Sequence, residues 1–257
     1  MKIFAIGDLH LSSTGRKPMD IFGPQWKNHG DKIAEQWKAH VGSGDTVLVP
    51  GDLSWAMRME EAKADIEWLE ALPGSKIIIK GNHDYWWPSI SRLRSVLMGS
   101  SITALQYDSV RIGAVAIGGV RLWNIPGVDI HGSTMLENKP AQEGQEPAPL
   151  SEPEDRLRNE RIFLREMGRL RLSLDSLGQD PKIRIAMTHF PPTSEKGLDT
   201  PVTKMLEQYS VNVCIFGHLH DLGLPEGKTI DFQKNGIRYV LVSCDAVGFA
   251  PYQILDI

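Results

Sequence analysis

Five short polar stretches, each directly after an apolar run, constrain this chain more than any other feature of its sequence. They contain five of its eight histidines, and each combines Asp, Asn or His with a glycine or a strand end. The stretches are Asp-Leu-His at 8–10, Gly-Asp at 51–52, Gly-Asn-His-Asp at 81–84, Thr-His at 188–189 and Gly-His-Leu-His at 217–220. Apolar runs with a polar end are typical of strands buried on both faces. We therefore expect a fold whose strand ends bring these side chains to one place.

The N-terminal part of the chain alternates between predicted strands and predicted helices. Ile33, Trp37 and Val41 lie four residues apart, as on the buried face of a helix. Predicted strands cover 2–7, 46–49 and 77–79, and further predicted helices cover 60–72 and 88–96. This alternation is typical of parallel βαβ units.

The rest of the chain does not keep this alternation. Three predicted strands follow one another without a helix, at 102–106, 110–117 and 120–123, which indicates antiparallel or mixed pairing. Helices are predicted at 154–177 and 200–209, and strands at 183–187, 211–216, 237–243 and 252–255, the last two antiparallel. The expected fold class is α/β, with two mixed β-sheets covered by helices on both sides, in a single domain of 1–257.

Residues 126–155 form the least regular part of the sequence. Between 137 and 155, four prolines and six acidic residues accompany one lysine. Because this composition disfavours both helix and sheet, we expect a long exposed loop or a lid over the site.

The charge balance argues against some classes of protein. With 28 basic and 32 acidic side chains the formal net charge is −4, so no general attraction to nucleic acid or to a membrane is expected. No stretch resembles a signal peptide or reaches the roughly 18 apolar residues of a transmembrane helix, so a cytoplasmic location is expected. Cys214 and Cys244 lie in apolar runs and are expected to be buried thiols.

The polar stretches offer oxygen and imidazole ligands for metal ions. Asp8 and His10 are two residues apart on one extended segment, so both can turn toward the same cation. Asp52 is the carboxylate best placed to bridge two cations. The other candidate ligands are Asn82, His189, His218 and His220. Without a thiolate, such a set favours two divalent ions such as Mn, Fe or Zn over Cu(I) or an iron–sulfur cluster.

Two cations that share a carboxylate can hold a water molecule between them and lower its pKa toward neutrality. The resulting metal-bridging hydroxide can attack a phosphoryl group, whose growing charge the cations stabilise. Adjacent side chains diverge on a tight turn, so His83 can face the leaving group as proton donor if Asn82 faces a metal. Asp84 would then hold the His83 ring and keep it protonated. The sequence therefore predicts a hydrolytic site with His83 and Asp84 as its catalytic pair.

Taken together and in this order, the five stretches resemble the motifs of the calcineurin-like metallophosphoesterase superfamily. The resemblance covers residues 7–220 and implies a four-layer αββα sandwich with a dinuclear centre. It implies that one metal is bound by Asp8, His10, Asp52 and His220. It implies that the second is bound by Asp52, Asn82, His189 and His218, with His83 as proton donor.

Two positions distinguish the sequence from other branches of this superfamily. Purple acid phosphatases have a tyrosine three residues after the bridging Asp, where this chain has Trp55, so a tyrosinate–iron site is not expected. Protein Ser/Thr phosphatases have an arginine soon after that Asp, and a Glu where this chain has Asp84. The pattern is closer to bacterial members that act on small phosphomonoesters, phosphodiesters or nucleotides.

Aromatic and basic side chains near the motifs are candidates for substrate binding. Indoles can stack on a base or a sugar, and a guanidinium can pair with a phosphate. The candidates are Trp55, Trp86, Trp87 and Arg58, with Trp123 and Arg121 as further possibilities. The alternative interpretation is core packing for the tryptophans and solvent exposure for the arginines.

Three functions remain open at this point. The first is a hydrolase of small phosphate esters, in the class of phosphoric ester hydrolases. The second is a nuclease of the same superfamily, against which stand the acidic balance and the lack of a Lys/Arg-rich segment. The third is a non-catalytic scaffold, against which stands the presence of His83 and of every expected ligand. The sequence does not indicate an oligomeric state.

Overall fold

The strands that precede the first three polar stretches lie in one five-stranded sheet. A computed structural model describes residues 1–13, 17–128, 153–194, 197–225 and 228–257. The strands of this sheet are β1 (Lys2–Ala5), β2 (Thr46–Val49), β3 (Ser75–Ile78), β4 (Ile102–Ala104) and β11 (Tyr252–Asp256). Their order is β11-β1-β2-β3-β4, with β1 to β4 parallel and β11 antiparallel to β1. Because β1, β2 and β3 are parallel, the three stretches that follow them share one edge of the sheet.

The other two polar stretches follow strands of a six-stranded sheet. Its strands are β5 (Ser109–Ile112), β6 (Val115–Val120), β7 (Ile183–Thr188), β8 (Val213–Phe216), β9 (Asp231–Lys234) and β10 (Ile237–Leu241). Their order is β5-β6-β7-β8-β10-β9. The four inner strands are parallel, and the edge strands β5 and β9 pair antiparallel with β6 and β10. Both sheets are therefore mixed, as predicted.

Helices occupy the segments between the strands. They are α1 (His29–His40), α2 (Met59–Glu70), α3 (Ile90–Val96), α4 (Pro153–Asp175) and α5 (Pro201–Gln208). The start of α5 is fixed by Thr200, whose side chain accepts a hydrogen bond from the N–H of Thr203 in a capping box, and by a proline in the first turn. None of the described helices combines the length and the hydrophobicity that crossing a lipid bilayer requires.

The second sheet has a different apolar cluster on each of its faces. Ile117 and Ile215 belong to the cluster that also includes residues of the first sheet and of α1, α2 and α3. Ala116 and Cys214, their neighbours in sequence, pack with α4 and α5. Because consecutive residues of a strand point to opposite faces, the layers run helix, sheet, sheet, helix. The predicted αββα sandwich is confirmed.

Some predicted elements are wrong where a turn interrupts an apolar run. The predicted strand 110–117 is a hairpin of β5 and β6 around Gly113, which has a φ of 56°. The predicted strand 120–123 ends at Val120, since Leu122 is left-handed with a φ of 64°. Strand β10 pairs antiparallel with β9, as predicted, but its other neighbour, β8, is parallel to it. Strand β9 has no counterpart in the prediction, although Asn-Gly at 235–236 is a typical hairpin turn.

Most of the predicted loop or lid at 126–155 cannot be compared with the structure, because residues 129–152 lie outside the described residues. Helix α4 begins at Pro153, so the last residues of that segment are helical.

Hydrogen bonds join the two sheets beside the ends of β1 and β10. The N–H of Gly7 donates to the carbonyl oxygen of Val242 at 2.6 Å, and the N–H of Cys244 donates to the carbonyl oxygen of Gly7 at 3.0 Å. This short bridge holds the carboxyl ends of the strands of both sheets next to each other. The five polar stretches therefore converge on one side of the sandwich.

Candidate metal centre

Four of the seven candidate ligands have a left-handed backbone. The φ angles are 55° at Asp8, 45° at His10, 52° at Asp52 and 74° at His218. Residues other than glycine rarely adopt this region, and they keep it only where the surroundings hold them there. Such strain is concentrated at functional sites, and here it lies in the turns that follow β1, β2 and β8.

Two motif glycines are needed because a carboxylate lies directly against each of them. A Cβ on Gly81 would overlap with Oδ1 of Asp52, and a Cβ on Gly217 would overlap with Oδ2 of Asp8. A side chain at either position would displace the carboxylate. The glycines therefore allow the polar stretches to approach one another closely.

Asp8, His10 and His220 form the first group of ligand atoms, all within 4.8 Å of one another. Nε2 of His10 lies 3.4 Å from Nε2 of His220, which lies 3.7 Å from Oδ1 of Asp8. All three residues are buried. These separations are those of neighbouring ligands around one cation with bonds of about 2.0–2.2 Å.

Asp8, Asp52 and His189 form the second group, again within 4.8 Å. Nε2 of His189 lies 3.4 Å from Oδ2 of Asp52 and 2.5 Å from Oδ1 of Asn82. The same Oδ2 of Asp52 lies 3.9 Å from Nε2 of His10 in the first group. Asp52 thus belongs to the second group and also approaches the first, while Asp8 is a member of both. The ring of His218 stands 5.1 Å from the ring of His189.

Hydrogen bonds on the far side of two rings leave Nε2 of each ring directed at the other candidate ligands. Nδ1 of His189 donates to the carbonyl oxygen of Pro50 at 3.0 Å, and Nδ1 of His220 donates to Oδ1 of Asp245 at 2.8 Å. Metal-binding histidines are usually oriented in this way. Nε2 of His218 is buried and has no hydrogen-bond partner among the described residues. Because buried polar atoms are nearly always paired, the side chains present fit a pair of divalent cations.

Burial and neighbouring carboxylates shift the pKa values of the histidines in opposite directions. Burial lowers the pKa of His10 and of His218 well below the ordinary value, which keeps both rings neutral. Burial also disfavours the charged form of His189, but the carboxylate of Asp52 outweighs it and raises the pKa of His189 to about 9. Burial raises the pKa of Asp8 to about 6. A proton held between carboxylate and imidazole is one that an incoming cation would displace.

His83 lies beside the first group and not within it. Its ring centroid is 5.9 Å from that of His10 and 4.5 Å from that of Trp55. The backbone N–H of His83 donates to Oδ1 of Asp52 at 2.8 Å, which ties the position of His83 to the bridging candidate. Its Nδ1 is buried and has no partner among the described residues. Burial lowers the pKa of His83, so its protonated ring is a stronger acid than an exposed one.

Asp84 does not hold the His83 ring, and that prediction is wrong. Its carboxylate is fully buried and accepts hydrogen bonds from five N–H groups of other residues. The donors are the backbone N–H groups of Asp52, Leu53, Ser54 and Gly81, and Nε1 of Trp86. These bonds join the turn after β2 to the turn after β3. Asp84 therefore positions the turn that carries Asp52 and does not contact the ring of His83.

Among the predicted substrate-binding tryptophans, Trp55 contacts the centre directly. Its indole stacks on His10, with centroids 4.9 Å apart and 21° between the planes. Nζ of Lys17 lies 4.2 Å from the centroid of the same indole. Trp55 therefore stacks on a ligand candidate and also contacts the ammonium group of Lys17.

Trp86 and Trp87 pack in the core, and Arg58 is exposed. Trp86 is 2% exposed and is held by Asp84, so the prediction that it binds substrate is wrong. Trp87 is 6% exposed and lines a small cavity of about 270 Å³ together with Arg121. Arg58 precedes the first turn of α2, with its side chain in solvent.

Asp245 and Phe190 belong to the site although the sequence prediction does not include them. Asp245 orients His220, and the ring of Phe190 lies 4.0 Å from the ring of His218. Asp245 follows β10 as the other polar residues follow their strands, and this position is the signal that would identify it. Phe190 follows a predicted ligand directly, but nothing local in the sequence indicates which ring it contacts.

Comparisons with known proteins identify relatives at the level of family and fold. The family model described as calcineurin-like phosphoesterase matches residues 1–222. The solved structure of phosphopantetheinyl hydrolase from Mycobacterium tuberculosis superimposes with a TM-score of 0.53 and 17% identity, covering 100% of this chain and 96% of that one. A protein of unknown function from Aquifex aeolicus gives a TM-score of 0.46 at 13% identity, covering 98% and 95%. At 17% identity, the Mycobacterium tuberculosis structure shows the fold alone.

A curated relative matches only part of the chain. The gene 66 protein of Mycobacterium phage L5 is 31% identical over 77 residues, which are 30% of this chain. The match covers 37% of that relative's length.

Proposed function

Because this chain belongs to the calcineurin-like phosphoesterases, we propose that it hydrolyses phosphomonoester or phosphodiester bonds of a small molecule or nucleotide with two divalent cations. The observation that carries the proposal is the position of Asp52. Its Oδ2 lies 3.9 Å from Nε2 of His10 and 3.4 Å from Nε2 of His189, between two groups of buried ligand atoms. Oxygen and imidazole ligands of this kind suit manganese, iron or zinc.

The proposed ligands form two sets that share Asp52. One set is Asp8, His10, Asp52 and His220, and the other is Asp52, Asn82, His189 and His218. When bound by these residues, two such cations would supply an activated water as nucleophile and would offset the charge that grows on the phosphoryl oxygens.

This chain holds its carboxylates in place by backbone hydrogen bonds. The N–H of His218 donates to both oxygens of Asp8, at 3.1 and 3.0 Å, and the N–H of His83 donates to Asp52. These bonds fix the ligands before any cation binds, which lowers the cost of assembling the site.

His83 is the residue that we assign to proton transfer. It stands at the edge of the first group, packed against Trp55, with a pKa that burial lowers. In this position it would protonate the departing oxygen of the ester, since a neutral alcohol leaves more easily than an alkoxide.

The test is hydrolysis of p-nitrophenyl phosphate and bis-p-nitrophenyl phosphate by protein loaded with Mn²⁺, Fe²⁺ or Zn²⁺. We expect activity with at least one metal, loss of activity with a chelator, and a decrease of more than about 100-fold in kcat for Asp52→Asn. Asp180→Asn, which changes an exposed carboxyl, serves as the matched control and is expected to keep full activity. Absence of hydrolysis with every metal, or full activity of Asp52→Asn, would contradict the proposal.

One observation favours the nuclease alternative more than the sequence prediction allows. Beside five acidic residues, helix α4 contains six arginines, which the sequence prediction does not weigh. These residues are Arg156, Arg158, Arg161, Arg165, Arg169 and Arg171. Cleavage of single-stranded DNA with Mn²⁺, measured beside cleavage of bis-p-nitrophenyl phosphate, distinguishes the two functions.

A further inference from the structure

Helix α4 carries a row of arginines that the proposed hydrolysis does not use. Arg158, Arg161, Arg165 and Arg169 follow one another at spacings of three and four residues, so they share one face of the helix. Like charges four residues apart destabilise a helix. Formation of the helix therefore does not explain the row.

Three of these arginines line a cavity of about 760 Å³, together with Arg121 and Trp123. Four of the seven lining residues within the described part of the chain are arginines, and none of the seven is acidic. The volume is that of a site for a small molecule. Its walls are suited to an anion.

The positive charge of the arginines in and beside this cavity is only partly balanced. Glu166 is buried and pairs with Arg121 at 3.3 Å, with Arg165 at 3.5 Å and with Arg169 at 2.6 Å. Three guanidinium groups thus share one carboxylate. Arg158 and Arg161 are exposed and form no ion pair with any other described residue. Counted over the described residues alone, the lining of the cavity therefore has an excess of positive charge.

Backbone and ring contacts connect the cavity to the candidate metal centre. The carbonyl oxygen of Arg121 accepts hydrogen bonds from the N–H groups of His189 and Phe190, at 3.1 and 3.0 Å. The guanidinium of Arg121 lies 4.7 Å from the centroid of Trp123, whose ring is 4.9 Å from that of Phe190. The Phe190 ring in turn lies 4.0 Å from the ring of His218. The arginine cavity is therefore adjacent to the second ligand set.

We propose that the arginine cavity binds a second phosphate group of the substrate. The substrate class is then small molecules that carry a phosphate besides the one that is cleaved. The inference rests on the proposed function, because it places the cleaved phosphate at Asp52. Guanidinium groups bind phosphate oxygens through paired, charge-assisted hydrogen bonds. Arg121 is already held in place by Glu166 and Trp123, so little conformational freedom is lost when the phosphate binds.

The test compares substrates that differ by one phosphate. The pairs are adenosine 3′-monophosphate with adenosine 3′,5′-bisphosphate, and fructose 6-phosphate with fructose 1,6-bisphosphate, each with manganese-loaded protein. We expect kcat/KM for at least one bisphosphate to exceed that of its monophosphate by about tenfold or more, through a lower KM. In Arg161→Gln and Arg165→Gln this preference is expected to fall toward one.

A matched control and a binding measurement complete the design. Arg171→Gln changes an exposed arginine of the same helix that does not line the cavity, and it is expected to keep the preference. Calorimetric titration of chelator-treated protein with the same bisphosphates measures the affinity of the cavity for them in the absence of hydrolysis. We expect binding about tenfold weaker in Arg161→Gln than in the parent or in Arg171→Gln.

The possible outcomes separate this inference from the proposed function. It is overturned if monophosphates are hydrolysed but no bisphosphate is preferred, or if the preference persists in Arg161→Gln and Arg165→Gln. Preferential binding and cleavage of single-stranded DNA would also overturn it, in favour of a polymer. If no ester is hydrolysed with any metal, the proposed function fails, and the calorimetric titration still decides whether the cavity binds the bisphosphate.

Discussion

Neighbouring side chains in the Gly-Asn-His-Asp stretch have three different tasks. Oδ1 of Asn82 lies 2.5 Å from Nε2 of His189, the ring of His83 packs against Trp55, and Asp84 accepts backbone N–H groups. The first two follow from the divergence of adjacent side chains on a turn, which the sequence predicts. The third depends on how two loops meet, and no local pattern contains that information.

Replacing His83 by glutamine tests the proton transfer. We expect kcat for an alkyl phosphate to fall by about 10²–10⁴-fold, because an alkoxide leaves poorly without a proton. The loss for p-nitrophenyl phosphate is expected to be much smaller, since nitrophenolate leaves without one. Both rates are measured for the parent, for the variant and for His40→Gln, which changes an exposed histidine. An equal loss on both esters would exclude His83 as the proton donor.

Asp245 is expected to act through His220, whose Nδ1 donates to it at 2.8 Å. Asp245→Asn removes the charge behind the ring, so we expect manganese to bind about 10–100-fold more weakly. Activity should then be low at limiting Mn²⁺ and recover at high Mn²⁺. Metal titration and the activity at each Mn²⁺ concentration measure both effects. Asp221→Asn is the control, because this nearby side chain is exposed, and unchanged affinity in Asp245→Asn would contradict the assignment.

At the scale of elements, the strands that are buried on both faces are the ones that the sequence predicts best. The predicted strand 46–49 coincides with β2, because burial on both faces leaves an uninterrupted apolar run. The same continuity conceals the turn at Gly113, where two strands read as one. Asp245 reaches the site only through the pairing of β10 beside β8, and the ion pair of Arg121 with Glu166 depends on the packing of α4. Both are long-range relations that a periodic pattern does not encode.

The strands β9, β10 and β11 are joined by one ion pair at the surface, and its pH dependence can be predicted. Arg238 donates two hydrogen bonds to Asp231, at 3.0 and 2.7 Å, and Tyr252 donates a third at 2.9 Å. The hydrogen bonds of Arg238 lower the pKa of Asp231 below its ordinary value. A carboxyl with a lowered pKa stabilises the fold above its unfolded pKa of about 4, and this contribution is lost as the pH falls through the folded pKa.

Asp231→Asn is therefore expected to lower the free energy of unfolding by about 1 kcal/mol at pH 7, a value reduced for the partial exposure of the pair. The difference from the parent should shrink as the pH falls below about 4. Urea unfolding at pH 7 and pH 3 measures it, with the exposed Asp180→Asn as control. A difference of the same size at both pH values would show that the charge of Asp231 does not contribute.

At the scale of the whole molecule, the candidate centre spans the two halves of the sandwich. Asp8, Asp52 and Asn82 follow strands of the first sheet, whereas His189 and His218 follow strands of the second. The sheets are otherwise joined by an apolar interface and by a short backbone bridge at the end of β1. Cations bound between them would add bonds from both sheets to one centre.

Metal removal should therefore destabilise the whole protein and not only the site. Cations that bind the folded chain and not the unfolded one stabilise it by about 2.7 kcal/mol at a concentration 100 times Kd, or about 5–10 °C in Tm. We expect chelator-treated protein to unfold at a lower temperature, and added Mn²⁺ to restore the Tm. The response should be lost in Asp52→Asn, and reduced both in His10→Ala and in His189→Ala, because each sheet contributes ligands. Asp180→Asn should respond as the parent does, and an undiminished response in Asp52→Asn would place the bound metal elsewhere.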